Sequence, residues 1–455
     1  MKTVLYDYQE KTAADIFERI CNNEITGAYL GFDTGTGKTV TSLSVADRLY
    51  KNHMIKGLVV ICPVSKVDDW IIDIRNEVPD IEMTFVSSFQ SAWREKNKAK
   101  IELVCNMVDT LIIVDEGHKM KTYDSKQSKY IQKLVNDHKP YVLVLSATSQ
   151  NKKYIDLYPQ YKILGSKVFN VSPKDFKKTY CIEALNYNMV YAGKSRFPFN
   201  EIVGYRHTDV MDTDILDYTY YKKYESKYDR PIEIPQHFKM TSDMKYFKEN
   251  KVWPKIDEKE IEAKIKSGDE TCIEDLSGYI IANRPTLHHT YMRESCSGFI
   301  KDQYLKDNPK AQWLKDFLEG NEGRVVVFTN FIAETVIINK ICLELKRNCC
   351  IYDGTNKDLS KWHDYDDCVA IINVQAGSAG LNDFIKTNIA IFFSPPENYI
   401  DFTQAKGRID RIGQTKQPVY YYLQIVGSVE PAIYKTLAEG KSFDQRLFDA
   451  WSEGG

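Results

Sequence analysis

Short, uninterrupted apolar runs recur along the first third of the chain and alternate with longer amphipathic stretches. They lie at 28–32, 58–62, 111–115 and 141–146. Runs of this length are typical of parallel strands that are buried on both faces, with helices packed between successive strands. The pattern therefore predicts an α/β unit over residues 1–165.

A second series of apolar runs begins near residue 310. Its members are 324–329, 369–374, 389–394 and 418–425, and the stretches between and after them predict helices at 332–346 and 430–439. We expect a second α/β unit over 306–455. Residues 166–305 have a different character, rich in Tyr, Lys and Asp, and we predict a mostly helical insertion and linker there.

One part of this middle region interleaves aromatic and basic residues. The tyrosines are 218, 220, 221, 224 and 228, and the lysines are 222, 223 and 227. Such a run could stack on nucleic-acid bases and contact phosphates. It is also typical of a solvated amphipathic helix whose tyrosines pack inward, which is the interpretation we favour.

Composition narrows the protein class. Hydrophobic residues make up 43% and charged residues 27% of the chain, which is ordinary for a soluble globular protein. No stretch approaches the about 20 apolar residues that span a bilayer, and the N-terminus lacks the apolar region of a signal peptide. We expect an intracellular protein, cytoplasmic in a bacterial or virus-infected cell and nuclear if eukaryotic.

The net charge and the cysteine spacing argue against two further classes of protein. A formal net charge of −2 argues against a charge-coated DNA binder, although a motor can confine its positive charge to one cleft. The ten cysteines show no CxxC spacing, which favours reduced thiols over zinc sites or disulfides.

The most informative motif is Gly31–Thr39, Gly-Phe-Asp-Thr-Gly-Thr-Gly-Lys-Thr, between the first predicted strand and a predicted helix. A glycine-rich turn at a helix N-terminus points backbone N–H groups at phosphates, a lysine neutralises the β/γ oxygens and a hydroxyl reaches Mg²⁺. The strict pattern has Gly where Phe32 stands. The candidate nucleotide contacts are Gly35, Thr36, Gly37, Lys38 and Thr39.

An acidic pair and two hydroxyl residues follow later strands. Asp115 would hold Mg²⁺ through its water shell, and Glu116 would orient and deprotonate the attacking water. Ser146 and Thr148 end the next strand, where they can hydrogen-bond to the acidic pair and sense the γ-phosphate.

The second unit contributes an arginine pair. Arg408 and Arg411 are three residues apart and share one face if that segment is helical. A guanidinium from another domain stabilises the charge of a phosphoryl group in transfer. A surface ion pair is the alternative, which the preceding glycine-interrupted turn at 376–382 disfavours.

Together these motifs resemble those of the superfamily-two helicases, and within them the Swi/Snf-type ATPases, in a compact form without accessory domains. Residues 5–9 are similar to the adenine-reading motif of that group, and 61–65 with Trp70 to its first strand-contacting motif. Residues 115–118 are similar to its acidic box. The most specific match runs from Gln375 to the Arg-Ile-Gly-Gln ending at 411–414. Ser149 departs from the usual proline.

The resemblance implies two RecA-like lobes in tandem, with ATP and Mg²⁺ in the cleft between them and DNA as the partner. Duplex DNA, mainly backbone contacts and a monomer are expected. The implied catalytic residues are Lys38, Asp115, Glu116, Arg408 and Arg411. The implied ATP contacts beyond the glycine-rich turn are Gln9, Gly380 and Gln404, and the implied Mg²⁺ ligands are Thr39 and Asp115. The implied coupling or DNA-contacting residues are Ser65, Lys66, His118, Ser146, Thr148, Asn330, Ala376 and Gly377.

Several functions share these motifs. A translocase or remodeller of duplex DNA is the main hypothesis, and a strand-separating helicase would use the same chemistry. A nucleotide-regulated DNA-binding scaffold would need no turnover. A small-molecule kinase would need only one lobe, so the second unit and its arginines argue against it.

Overall fold

The computed structural model describes residues 1–120, 122–147, 153–186, 198–224, 228, 230–253, 280–282, 284–305, 307–356, 358–377 and 384–454. The chain divides into two compact units, Met1–Glu225 and Ser226–Gly455. Within the described ranges, no helix has the length and apolar character needed to cross a membrane.

The first unit alternates strands and helices. Its helices are α1 Asp7–Cys21, α2 Lys38–Lys51, α3 Val67–Glu77, α4 Phe89–Ala92, α5 Glu95–Met107, α6 Lys126–His138, α7 Tyr154–Lys162, α8 Pro173–Tyr180 and α9 Thr208–Tyr218. Its strands are β1 Gly27–Phe32, β2 Gly57–Cys62, β3 Met83–Ser88, β4 Thr110–Asp115, β5 Tyr141–Leu145, β6 Cys181–Asn186, β7 Phe199–Tyr205 and β8 Thr219–Lys222. Short 3₁₀ helices lie at Val64–Lys66 and Gly117–Met120.

Six of these strands form one parallel sheet in the order β3-β2-β4-β5-β1-β8. Strands β1, β2 and β4 are buried along their whole length, because helices cover both faces of the sheet. Parallel strands bring their carboxyl ends to one edge, so the segments that follow β1, β2, β4 and β5 meet there. These segments carry the motifs of the first unit.

The second unit repeats this plan. Its helices are α10 Ser242–Asn250, α11 Pro285–Cys296, α12 Pro309–Glu319, α13 Ile332–Glu344, α14 Ser360–Asp364, α15 Val374–Gly377, α16 Tyr399–Lys406, α17 Glu430–Ala438 and α18 Gln445–Gly454. Its strands are β9 Ile232–Phe238, β10 Val252–Trp253, β11 Ile280–Ile281, β12 Phe299–Ile300, β13 Gln303–Tyr304, β14 Val325–Thr329, β15 Cys349–Tyr352, β16 Val369–Asn373, β17 Ile389–Phe392 and β18 Val419–Ile425.

Its sheet has six parallel strands in the order β15-β16-β14-β17-β18-β9. A fully buried ion pair lies in this unit: Lys310 Nζ is 2.5 Å from Glu430 Oε1 and donates to the carbonyl of Phe393 across 2.9 Å. Glu430 Oε2 accepts from the N–H of Ile425 across 2.9 Å. The pair links α12, which precedes β14, to α17, which follows β18.

Two parallel α/β lobes are confirmed, but the division between them differs from the predicted boundaries at 165 and 305. Strand β8 pairs with β1 in the first sheet, and β9 pairs with β18 in the second. Two strands of the region that we predicted as an insertion therefore belong to the lobe sheets, because their hydrogen-bond partners lie there.

The tyrosine- and lysine-rich run is likewise not one amphipathic helix. Helix α9 ends at Tyr218, and Thr219–Lys222 is the strand β8. Tyr218 is buried, whereas Tyr221 is 43% exposed. The expectation that the tyrosines pack inward holds for Tyr218, at the end of α9, and fails for Tyr221, in β8.

Candidate functional site

The glycine-rich turn after β1 carries two backbone conformations that favour glycine. Gly35 and Gly37 have φ values of +81° and +85°, and α2 begins immediately after Gly37. A Cβ on Gly37 would lie 2.1 Å from Nε2 of Gln9. The carbonyl of Thr36 accepts from this Nε2 across 3.1 Å and from the Tyr8 hydroxyl across 2.7 Å. The predicted adenine-reading segment is thus attached to the phosphate-binding turn.

Lys38 points back into the turn. Its Nζ donates to the carbonyls of Phe32 across 2.8 Å and Asp33 across 3.3 Å. Burial lowers the pKa of Lys38 to about 8, an effect that neighbouring charges offset only in part. Phe32, the departure from the strict motif, is buried in the core, with its ring centroid 5.9 Å from that of Tyr8. The phenylalanine therefore fills space behind the turn.

Strand β8 closes the turn from its other side. The N–H of Asp33 donates to the carbonyl of Lys222 across 2.9 Å, and the N–H of Tyr224 donates to Oδ2 of Asp33 across 2.8 Å. The Lys222 ammonium lies 5.2 Å from the centroid of the Tyr8 ring, a cation–π distance. Sequence reasoning missed this role of residues 219–224 because it assigned them to a separate region.

The acidic pair follows β4. The buried Asp115 accepts through Oδ2 from the indole Nε1 of Trp70 across 3.0 Å, and the ammonium of Lys66 lies 3.2 Å from the same oxygen. Lys66 Nζ is also 3.6 Å from Oε1 of Glu116. We predicted Lys66 as a coupling or DNA-contacting residue, and the structure places its ammonium against both carboxylates.

Glu116 is connected to the end of β5 through His118. Nδ1 of His118 lies 3.3 Å from Oε2 of Glu116 and 3.2 Å from Oγ of Ser146. Ser146 therefore approaches the acidic pair through the imidazole. Thr148, the other predicted hydroxyl, lies outside the described residues.

The environment of Glu116 favours its charged form. Burial raises the pKa of this carboxyl, but His118 and the charges of Lys66 and Lys38 outweigh the effect, so the pKa lies well below its ordinary value. Its backbone is in the left-handed region with φ of +56°, an uncommon conformation for a residue other than glycine. Such outliers cluster at functional sites.

The residues here suit Mg²⁺. Hard divalent cations prefer carboxylate, hydroxyl and phosphate oxygens, and the chain offers the Asp115 carboxylate and the Thr39 hydroxyl in the first turn of α2. Asp115 already has a positive group, Lys66, against its oxygen. The pocket around this carboxylate therefore accommodates a cation.

In the second unit, Asn330 is committed to local hydrogen bonds. Its Nδ2 donates to the carbonyl and to Oγ of Ser394 across 2.9 and 2.8 Å. Its N–H donates across 2.7 Å to Oε2 of Glu334, a fully buried carboxylate that also binds the Ser297 hydroxyl. These bonds fix the turn after β14, and they direct the Asn330 amide nitrogen toward the protein.

The two arginines do not share a helix face. Helix α16 ends at Lys406, and the buried Arg408 lies in the following turn with Arg411 three residues on. Gln414 shapes this turn by donating to the carbonyls of Thr387 across 2.7 Å and Ile409 across 3.0 Å. The expectation of one shared face required a helical segment and does not apply, because α16 ends at Lys406.

The remaining predicted residues of this unit are placed as follows. Gln404 is buried within α16, and Ala376 and Gly377 end α15. Gly380 lies outside the described residues. In the first unit, Ser65 lies in the 3₁₀ helix Val64–Lys66 after β2.

Comparison with known families matches both units. The family described as type III restriction enzyme, res subunit, matches residues 2–151. The family described as helicase conserved C-terminal domain matches residues 309–413. The first match includes β1 to β5, and the second includes β14 to β17.

Several curated relatives align along nearly the whole chain. The uncharacterized ATP-dependent helicase YqhH of Bacillus subtilis is 23% identical over 90% of this chain and 74% of its own length. The ISWI chromatin-remodeling complex ATPase ISW1 of Saccharomyces cerevisiae is 22% identical over 93% of this chain but only 39% of its own length. Among solved structures, the Sulfolobus solfataricus SWI2/SNF2 ATPase core in complex with dsDNA aligns over 100% of this chain and 94% of its own, with 18% identity and a TM-score of 0.42.

Proposed function

Because this chain is an ATP hydrolase that belongs to the superfamily-two helicases of the Swi/Snf type, we propose that it couples ATP hydrolysis to movement along, or remodelling of, duplex DNA. The observation that carries the proposal is the assembly at one sheet edge of the phosphate-binding turn, the acidic pair and Ser146. A scaffold that binds nucleotide without hydrolysing it would need only the phosphate-binding turn.

The chain's own groups can perform the hydrolytic step. Lys38 would exchange its bonds to the carbonyls of Phe32 and Asp33 for phosphate oxygens. Glu116, held as a carboxylate, would orient the attacking water and accept its proton. Thr39 and Asp115 would hold Mg²⁺, which when bound neutralises charge on the phosphate oxygens. Arg408 and Arg411 would supply guanidinium charge to the transferring phosphoryl group.

The contact of His118 with both Glu116 and Ser146 supports a coupling role. A change at the γ-phosphate that moves Glu116 would be transmitted through the imidazole to the end of β5. We propose that DNA is held by its phosphates at Ser65 and at the turns around 330 and 376–377, so that sequence preference is slight. A cytoplasmic monomer is the form that we expect.

The decisive experiment is an ATPase titration with duplex DNA, single-stranded DNA and RNA. We expect duplex DNA to stimulate turnover most. Glu116→Gln should abolish stimulated turnover while ATP binding persists, because the amide keeps the shape of the side chain but cannot take a proton. Equal turnover with and without each nucleic acid would refute the proposal, and DNA-stimulated turnover in Glu116→Gln would refute the assigned base.

The second candidate is a strand-separating helicase, which the helicase relative from Bacillus subtilis favours. The ATP chemistry is the same, so only the product on DNA distinguishes the two. Release of a labelled strand from a forked duplex would favour the helicase, whereas displacement of a triplex-forming strand without separation of the duplex would favour translocation.

A further inference from the structure

The ammonium of Lys66 lies against the acidic pair, where we expect a metal ion to bind. It lies 3.2 Å from Oδ2 of Asp115 and 3.6 Å from Oε1 of Glu116. The side chains of these three residues are 16%, 2% and 7% exposed. Lys66 thus reaches from the protein surface into a buried carboxylate site.

The positive charge of Lys66 compensates the negative charge of the two buried carboxylates. Two buried carboxylates need nearby positive charge, since an uncompensated buried charge costs several kcal/mol. The Lys38 ammonium is directed to the carbonyls of the phosphate-binding turn, and His118 contacts Glu116. Among the residues that the structure describes, Lys66 is the lysine whose ammonium contacts Asp115, and a divalent cation that approaches this carboxylate meets a like charge.

The position of Lys66 in the chain gives its ammonium a second possible partner. Lys66 ends the short 3₁₀ helix after β2, where neighbouring Val64 is 53% exposed. A lysine ammonium on its flexible four-carbon stem can move several ångströms without backbone change. A phosphate near this segment would compete with Asp115 for the same charge.

We propose that Lys66 is a competing cation at the metal-binding carboxylate, and that DNA phosphate draws it away so that Asp115 can receive Mg²⁺. The DNA half of this statement rests on the proposed function, whereas the competition between Lys66 and metal does not. Lys66 would then act as a positioning residue that makes metal binding depend on DNA.

The first test measures how much Mn²⁺ strengthens the binding of ADP that carries a fluorescent ribose substituent, without DNA. The ratio of dissociation constants without and with Mn²⁺ isolates the metal from any direct effect of Lys66 on the nucleotide. Lys66→Met should raise this ratio at least about fivefold, and Lys66→Arg, which keeps the charge, should leave it near wild type. Lys51→Met, which removes an exposed lysine paired with Asp47, is the matched control.

The second test adds a short duplex to the same titration. In the wild type the Mn²⁺ ratio should rise toward the value of Lys66→Met, and in Lys66→Met the duplex should leave it unchanged. This arm uses the unmodified protein, so it remains decisive if Lys66→Met folds poorly, which its thermal unfolding transition would reveal.

The possible results test separately whether Lys66 competes with metal and whether DNA relieves that competition. A ratio in a folded Lys66→Met variant that equals the wild type, or falls below it, overturns the competition. A duplex that binds but leaves the wild-type ratio unchanged overturns the coupling to DNA. A duplex that neither binds nor stimulates turnover overturns the proposed function instead, and the result without DNA still decides the role of Lys66.

Discussion

The indole nitrogen of Trp70 donates to Oδ2 of Asp115 across 3.0 Å, and both side chains are buried. This bond joins α3 to the end of β4 and orients the buried carboxylate. Hydrogen bonds to charged groups contribute about 1.5–3 kcal/mol. The orientation of the Asp115 carboxylate therefore depends on Trp70, to which we assign no catalytic role.

Replacement of Trp70 by Phe should lower the free energy of unfolding of the first unit by about 1.5–3 kcal/mol, because the carboxylate loses its neutral donor. Urea unfolding followed by circular dichroism measures the change. Trp93→Phe is the control, since Trp93 is partly buried in the same unit. Equal losses in the two variants would mean that packing, and not the bond to Asp115, accounts for the effect.

Nucleotide binding should take up a proton at mildly alkaline pH. The pKa of Lys38 is about 8 in the nucleotide-free protein, and a bound phosphate favours the ammonium and raises it. The bound state then holds more protons than the free state, so affinity falls as pH rises above about 8. Calorimetry of metal-free ADP binding at pH 8.5 (about half a unit above that pKa), in two buffers of different ionisation enthalpy, measures the uptake.

Lys38→Met provides the comparison for this experiment. The variant should bind ADP more weakly and show no proton uptake from this residue. Similar uptake in the variant and the wild type would assign the proton to another group.

A methyl group at Gly37 should disrupt nucleotide binding. In Gly37→Ala the new Cβ would lie 2.1 Å from Nε2 of Gln9, at a φ of +85° that alanine rarely adopts. Gln9 would leave the carbonyl of Thr36, and we expect ADP affinity to fall by about tenfold or more. Gly354→Ala, where a Cβ meets nothing within 4 Å, should bind ADP as the wild type does.

Replacing only one member of the buried pair Lys310–Glu430 should lower the free energy of unfolding. Lys310→Met leaves a carboxylate without its cation in the core, and we expect a loss of about 3–5 kcal/mol. Adding Glu430→Gln should recover much of it, because the amide carbonyl can still accept from Ile425. Urea unfolding of the two variants tests this, and a double variant no more stable than the single one would contradict it.

The core of each lobe could be predicted closely from the sequence. Strands β1, β2 and β4 lie within one residue of the expected runs because both of their faces are buried, which makes every position apolar. The edge strands β8 and β9 escaped prediction. Their residues are partly exposed and mixed in polarity, so the neighbouring ladder defines them more than composition does.

The sequence allowed us to predict which segments form the site, but not which side chains contact each other there. The apolar runs indicated that Lys38, Asp115 and Ser146 each follow or end a buried strand, and that Ser146 can hydrogen-bond to the acidic pair. They could not show that Lys66 reaches the acidic pair or that His118 stands between Glu116 and Ser146. Long side chains end several ångströms from their backbone, and the direction they take depends on charges brought together only by folding.

The pairing of Tyr29 with Thr219 also sets an order of events during synthesis of the protein. The phosphate-binding turn leaves the ribosome early, yet the carbonyl of Lys222 that accepts from Asp33 follows only after most of the first unit has been made. Until then the turn lacks one wall, and β1 has an open edge. A nascent chain therefore completes the first unit's part of the nucleotide site only when that unit is already nearly whole.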